Sequence, residues 1–431
     1  MVAFQPDLCR RSGNGMSCRA DRRRCIHHQR SYCCFRQRHI HYGFVRVHAA
    51  GASGSPLMSP APYSGLERSL HLLAFSGTSF QRVISDLEDR LFSAAISSVV
   101  VEQPVFVTSL PRAGTTLLLE MLGTLPDFVF HTYRCMPFVM CPLLWDKIAR
   151  LFRSKAVATT RMHGDGMTID FDSPEAFEEV FWKSAWPDHF LADRVQTWSD
   201  RERNVEFEEF FRNQMRKLAL LGSGKSSKEP QSVRYLSKNN ANIARLPLLK
   251  AMFPDCAIVI PFRHPHSHVA SLRRQHALFS ELHARDSFAR RYMEYLGHFE
   301  FGAALRPINF GGWCEELASL NPTDEEYWWR YWVEAYTAVL GEGDDNIVLY
   351  DYDRACEEPS VALGALGHAL GVRKPSMLQA NAGRLRSPTT YDRLVTSLVE
   401  GSLEARAIAV HDALKARSIN GLEPLDSHGA V

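Results

Sequence analysis

Three times between residues 103 and 283 a short β-branched and aromatic run gives way, through a polar turn, to a run of good helix formers. The first unit is Val105-Phe106-Val107-Thr108, then the turn Leu110-Pro111-Arg112-Ala113-Gly114, then a helix from Thr115 to Leu122 stopped by Gly123. The second is a strand at Ser232–Leu236, the turn Lys238-Asn239-Asn240 and a helix at Ile243–Phe253 that must accommodate Pro247. The third is a strand at Ala257–Phe262, the turn Arg263-His264-Pro265 and a helix from Ser267 to His283. Short strands are also expected at Asp127–His131 and Asn346–Tyr350. Strands alternating with helices predict an α/β fold with a mostly parallel sheet covered by helices on both faces. In such a sheet ligands lie beyond the carboxyl ends of the strands, where all three turns meet.

The first turn has the parts of an anion cradle. The leading N–H groups of a helix have no intrahelical partner, and with the helix dipole they attract a phosphate or sulfate. Arg112 adds a forked cation, Gly114 allows close backbone approach, and the Thr115 and Thr116 hydroxyls can donate to anion oxygens. The loop lacks the Gly-Lys-Ser/Thr ending of a nucleotide-hydrolase loop. Taken alone it also fits an ordinary strand-to-helix turn with a surface arginine.

The other two turns supply the rest of the pattern. Pro-Arg-Ala-Gly-Thr-Thr at 111–116, Lys238 25 residues before Arg263, and Ser271 eight residues after Arg263 together resemble the sulfotransferases that use 3′-phosphoadenosine 5′-phosphosulfate, PAPS. The resemblance runs from about Gln103 to Val372 and includes Val348-Leu349-Tyr350-Asp351-Tyr352. It implies a P-loop-like sheet and PAPS as co-substrate, with no metal. It also implies a 5′-phosphosulfate site at Arg112, Ala113, Gly114, Thr115 and Thr116, and a 3′-phosphate site at Arg263 and Ser271. Arg112 and Lys238 are then the candidates for neutralising charge on the leaving phosphate oxygen. PAPS is anionic at two separated ends, and two separate cradles answer that need.

One position departs from the family. Where its cytosolic members carry a catalytic His, this chain has Asn240, which cannot act as a base. His131, and His163 in the segment Arg161-Met162-His163-Gly164-Asp165-Gly166, are the candidate catalytic bases, because imidazole titrates near neutral pH. Ala113 and Asn240 also suit a PAPS-fold binding protein that has lost turnover, and a nucleotide kinase on a similar sheet is the remaining rival. Ala219–Ser226, ALLGSGKS, matches a permissive nucleotide-binding pattern. A helix precedes it and loop composition follows it, the reverse of what that mechanism requires.

Composition narrows the setting. Residues 1–57 hold ten arginines, no lysine, and only Asp7 and Asp21 as acids, a local charge of +8. The remaining residues therefore sum to −6 against a whole-chain charge of +2, with no gross nucleic-acid signature. The head reads as a basic Cys/His/Arg-rich segment outside the fold, disordered or non-native, and residues 58–431 as one α/β domain. The pattern Leu66, Leu70, Leu73, Val83, Leu87, Leu91 reads as amphipathic helix. No apolar run reaches membrane-spanning length, no secretory leader is visible, and the ten cysteines lack zinc spacing, so a cytoplasmic protein with reduced thiols is expected. The acceptor is left open among small molecules, carbohydrates and peptides. Trp182, Trp186 and Trp198 could stack on one, whereas Tyr327, Trp328, Trp329, Tyr331 and Trp332 stand at helical spacing and read as core.

Overall fold

Residues 105–107 and 257–262 form the middle of a parallel sheet because they are apolar on both faces, as a strand covered by helices on both sides must be. The computed structural model describes residues 74, 77–149, 159–160, 168–169, 177–222, 231–316, 320–343, 346–386 and 401–420. The basic head, Leu66, Leu70 and Leu73, His163 with Asp165, and residues 223–226 of the ALLGSGKS stretch lie outside them.

The strands are β1 (Val99–Val101), β2 (Val105–Val107), β3 (Phe128–Val129), β4 (Thr159–Thr160), β5 (Thr168–Ile169), β6 (Gln231–Lys238), β7 (Ala257–Phe262) and β8 (Ile347–Asp351). The sheet order is β1-β6-β2-β7-β8, with β3 also paired to β6. Every pairing in it is parallel, while β4 and β5 form a separate antiparallel pair. Val107 stands in register with Lys238 on one side and Val259 on the other, so the first and second turns leave the sheet at the same level.

Alternate residues of each strand point to opposite faces, and two cores result. Phe106, Tyr235, Ile258 and Ile260 enter the larger one, with residues of the helices Val205–Gly222, Leu246–Met252, Pro265–Arg285 and Glu325–Gly341. Val105, Val107, Leu236 and Val259 enter the smaller one, with the helices Thr115–Leu122 and Pro359–Ala369. Trp328, Trp329 and Trp332 are all fully buried in the larger core, where the helical spacing put them.

Two boundaries differ from the sequence expectation for local reasons. The helix carrying Pro247 starts at Leu246, so the proline sits in its first turn, where a missing N–H costs nothing, and a 3-10 turn covers Asn240–Ala244. Thr323-Asp324-Glu325-Glu326 has the composition of a capping box, but the box is not made. The N-cap is Asp324 with no side-chain cap, and the Thr323 hydroxyl donates instead to Asn321 Oδ1 at 3.0 Å.

The helix Thr78–Leu91 inverts its amphipathic pattern. Val83, Leu87 and Leu91 are each more than half exposed, whereas Gln81, Ser85 and Glu88 are fully buried. What draws the polar face inward is Lys217 on the Val205–Gly222 helix. Its ammonium lies 2.9 Å from Glu88 Oε2 and 2.6 Å from Asp89 Oδ1, and donates to the Ser85 hydroxyl at 2.9 Å. A buried ammonium needs carboxylates and acceptors around it, and that requirement outweighs the apolar stripe.

Candidate functional site

The first turn is held from several directions. Beyond β2, the Ser109 hydroxyl donates to the Pro261 carbonyl at 2.6 Å and meets the Tyr336 hydroxyl at 2.8 Å. Arg112 has φ of 72°, the left-handed region, and Gly114 has φ of 96°. For arginine that conformation costs on the order of 1–3 kcal/mol and persists only where the surroundings enforce it. Arg263 Nη1 donates to the Arg112 carbonyl at 3.2 Å, and His268 Nε2 is 2.8 Å from the Pro111 carbonyl. Trp332 Nε1–H can only donate and lies 3.2 Å from His268 Nδ1, so the histidine proton is assigned to Nε2 and points at Pro111. Burial pushes the His268 imidazole down to about 3, aided by the nearby Arg263 charge, so it is neutral.

Gly114 is required twice over. Besides its positive φ, a Cβ there would come within 2.5 Å of the Tyr352 ring. With the ring of Tyr352 across the loop and Ala113 fully buried, the backbone enters the Thr115–Leu122 helix with its leading N–H groups at the mouth of the turn. Thr116 is half-buried beside them.

The third turn closes on the first. Arg112 Nε donates to the Ser271 hydroxyl at 3.3 Å across 159 residues, and Ser271 is buried on the Pro265–Arg285 helix. Arg263 is 3.9 Å from Asp353 Oδ1, and Asp353 Oδ2 accepts from the His264 N–H at 2.7 Å. Arg112, Arg263 and Ser271 therefore form one cluster.

The second turn adjoins it through Asn240. Thr115 Oγ1 donates to Asn240 Oδ1 at 3.1 Å, and Thr108 Oγ1 to the Asn240 carbonyl at 3.2 Å. The Asn240 amide in turn donates to Glu300 Oε1 at 3.1 Å. Asn239 is bound to β2 by its N–H on the Val107 carbonyl at 3.1 Å, and its amide donates to Glu179 Oε2 at 2.7 Å. Glu179 Oε1 accepts from Arg245 at 2.7 Å, and that guanidinium lies over the rings of Trp182 and Trp198.

Lys238 is buried at the end of β6 and lines a small cavity with His131, Phe130, Phe177, Glu178 and Ser237. Glu178 is saturated there. Its Oε1 accepts from Trp182 Nε1 and Asn242 Nδ2, each at 2.9 Å, and its Oε2 from Ser237 and from Tyr235 at 3.2 Å. His131 packs against the rings of Phe181 and Tyr235, and neither of its nitrogens has a hydrogen-bond partner among the described residues. Burial pushes its imidazole down to about 3. A second cavity is lined by Asn240 itself with Pro111, Phe299, Glu300, Arg306 and Tyr331 among others.

Tertiary structure thus joins Arg112, Ala113, Gly114, Thr115, Thr116, Arg263 and Ser271 around one loop, with Lys238 in register beside it. His268, Asp353 and Glu300 were not singled out by the sequence as parts of this region, although His268 lies between Arg263 and Ser271 and Asp353 directly follows Tyr352. Glu300 belongs to none of the three turns and reaches the region only past the helix end at Gly297.

Residues 104–306 match the sequence model of the sulfotransferase family. No curated protein matches the chain. Among solved structures it is similar to a sulfotransferase from Mycobacterium tuberculosis H37Rv, with 14% identity, a TM-score of 0.41, and coverage of 81% of this chain and 86% of that one. A sulfotransferase from Mycobacterium avium is similar at 14% identity and TM-score 0.41, covering 83% of this chain and 86% of its own. At that level neither structure bears on the role of any residue here.

Proposed function

We propose, for a chain whose residues 104–306 match the sulfotransferase family model, that it moves the sulfuryl group of PAPS to a hydroxyl or amine of a small-molecule, carbohydrate or peptide acceptor. The observation that carries this reading is the contact between Arg112 and Ser271, with Arg263 donating to the same loop. Two cations, a buried hydroxyl and a helix N-terminus converge on one loop, a concentration of donors that suits an anionic ligand.

In this reading Arg112 and the N–H groups of Gly114, Thr115 and Thr116 hold the 5′-phosphosulfate, with Ala113 packing the turn from beneath. Arg263 grips the 3′-phosphate through its fork and Ser271 donates a second bond. Lys238 and Arg112 stabilise the charge that grows on the bridging oxygen as the S–O bond breaks, and positioning for in-line attack supplies much of the rest. The buried neighbours of Lys238 give that ammonium a low-dielectric setting, in which its charge acts more strongly. Of the two histidines expected as bases, His163 is outside the described residues, and His131 is enclosed by rings beside Lys238. A cytoplasmic site of action belongs to this reading, and the five cysteines among the described residues are free thiols, as a reducing compartment would keep them. No helix among the described residues is long and apolar enough to cross a membrane.

The binding-protein reading keeps one specific observation in its favour: Asn240 stands at the family's histidine position with its side chain engaged on both ends. A thermal-shift comparison of 3′-phosphoadenosine 5′-phosphate (PAP) with ATP and Mg²⁺, followed by transfer from radiolabelled PAPS to pooled sugars, phenols, lipids and peptides, separates the readings. Stabilisation by PAP with labelled product supports the transferase. PAP stabilisation without product supports the binding protein, and a response to ATP alone overturns both.

A further inference from the structure

The cavity beside Pro111 and Asn240 contains a carboxylate with a capacity the sulfotransferase clamp does not use. Glu300 arrives there because the Ser287–Leu296 helix ends at Gly297, whose φ is 77° and where a Cβ would meet Glu179 Cγ at 2.4 Å. The chain turns sharply at that glycine. Phe299 and Phe301 are then buried on either side, which pins the short stretch and leaves Glu300 half-buried in the cavity wall.

Its orientation is fixed by Asn240. Because Asn240 Oδ1 accepts from Thr115, its Nδ2 must face the other way, and it donates to Glu300 Oε1. Glu179, the other carboxylate lining this cavity, is engaged on both oxygens by Arg245 and Asn239. Glu300, among the described residues, accepts a hydrogen bond from Asn240 alone. An oxygen of Glu300 is therefore available to a molecule in the cavity, while its partner oxygen is tied through Asn240 to the first residue of the anion-binding helix. Arg306 lines the same cavity, its guanidinium 4.3 Å over the Phe299 ring, and supplies a compensating positive charge. His131 does not line this cavity.

We propose that Glu300 is the catalytic base for a hydroxyl acceptor, and that Asn240 is the positioning residue that aims it. The inference rests on the sulfotransferase reading. In the step, the acceptor oxygen bonds to sulfur as the bond from sulfur to the bridging 5′-phosphate oxygen breaks. The hydroxyl proton passes to Glu300 Oε2, the electron pair of the broken bond stays on the phosphate, and the products are a sulfate monoester and PAP. Proton loss from Glu300 to water restores the carboxylate. An asparagine at the family's histidine position then has a function: it carries orientation to a base located one side chain further out.

The test uses the full chain, radiolabelled PAPS, and water as the probe acceptor, with labelled inorganic sulfate as the readout. Glu300→Gln keeps an oxygen that accepts from Asn240 but removes basicity, so release is expected to fall by roughly 10²–10⁴-fold. Glu300→Asp is expected to retain part of the rate, and added formate to restore part of it to Glu300→Ala. Thermal stabilisation by PAP is expected to be equal in wild type and Glu300→Gln, which also shows that the variant is folded. Equal release from both proteins overturns the proposal, and so does a wild type that PAP stabilises but that releases no sulfate. A wild type indifferent to PAP would instead overturn the sulfotransferase reading on which it stands.

Discussion

Arg263 Nη1 donates to the backbone carbonyl of Arg112 at 3.2 Å, across 151 residues of chain. The residue expected to grip one end of the ligand thus also holds the loop expected to grip the other, in a backbone conformation that arginine rarely adopts. Coupling between the two ends of the clamp follows from that contact.

Arg112→Ala removes a forked cation but leaves the helix N-terminus. Charge-assisted hydrogen bonds are worth about 1.5–3 kcal/mol, so PAP affinity by titration calorimetry is expected to drop roughly 10- to 100-fold. Turnover should fall further than affinity if Arg112 also assists the leaving group.

Arg263→Lys keeps the charge and loses the planar fork that reaches both the Arg112 carbonyl and a phosphate. PAP binding is expected to weaken by about tenfold or more. Because the loop loses its support as well, binding of inorganic pyrophosphate, a probe with no 3′-phosphate end, is expected to weaken too. An unchanged pyrophosphate affinity would show that the two ends are independent.

His268 has its imidazole lowered from the ordinary 6.5 to about 3 by burial, so the unfolded chain binds a proton that the folded one does not. Its contribution to stability is fully present above about pH 6.5 and is lost as the pH falls toward about 3. His268→Leu is expected to lower stability at pH 7.5, by loss of the bond to Pro111, yet to flatten the decline between pH 6.5 and 4. Urea midpoints at several pH values measure both effects, and His131 and His411 keep their own acid dependence in either protein.

Lys217→Met leaves the buried Glu88 and the partly buried Asp89 without their ammonium. Breaking a buried ion pair by removing one partner costs about 3–5 kcal/mol, and the loss is read from denaturant unfolding. Adding Glu88→Gln and Asp89→Asn to the same chain is expected to recover part of it, since the uncompensated charges are then gone.

Much of the sheet was legible because the strands β2 and β7 are apolar on both faces and are flanked by prolines, Pro104 and Pro111 around β2 and Pro254 and Pro265 around β7. The Thr115–Leu122 helix and the β7 strand keep the bounds that the sequence suggested. The amphipathic stripe of Val83, Leu87 and Leu91 misled for a definite reason. Periodicity reports which residues share a face, whereas the buried Lys217, distant in sequence, decides which face turns inward.

The residues expected to hold an anion were legible as local composition. Pro111 through Thr116 read as a turn followed by a helix start, and Arg263 with Ser271 eight residues on places one cation before a helix and one hydroxyl within it. Only the tertiary structure decided what those pieces meet. Parallel register sets Lys238 beside Val107, the Arg263 fork closes on Arg112, and the turn at Gly297 delivers Glu300 to Asn240. Such contacts depend on where separate elements end in space, and no short stretch of sequence contains that information.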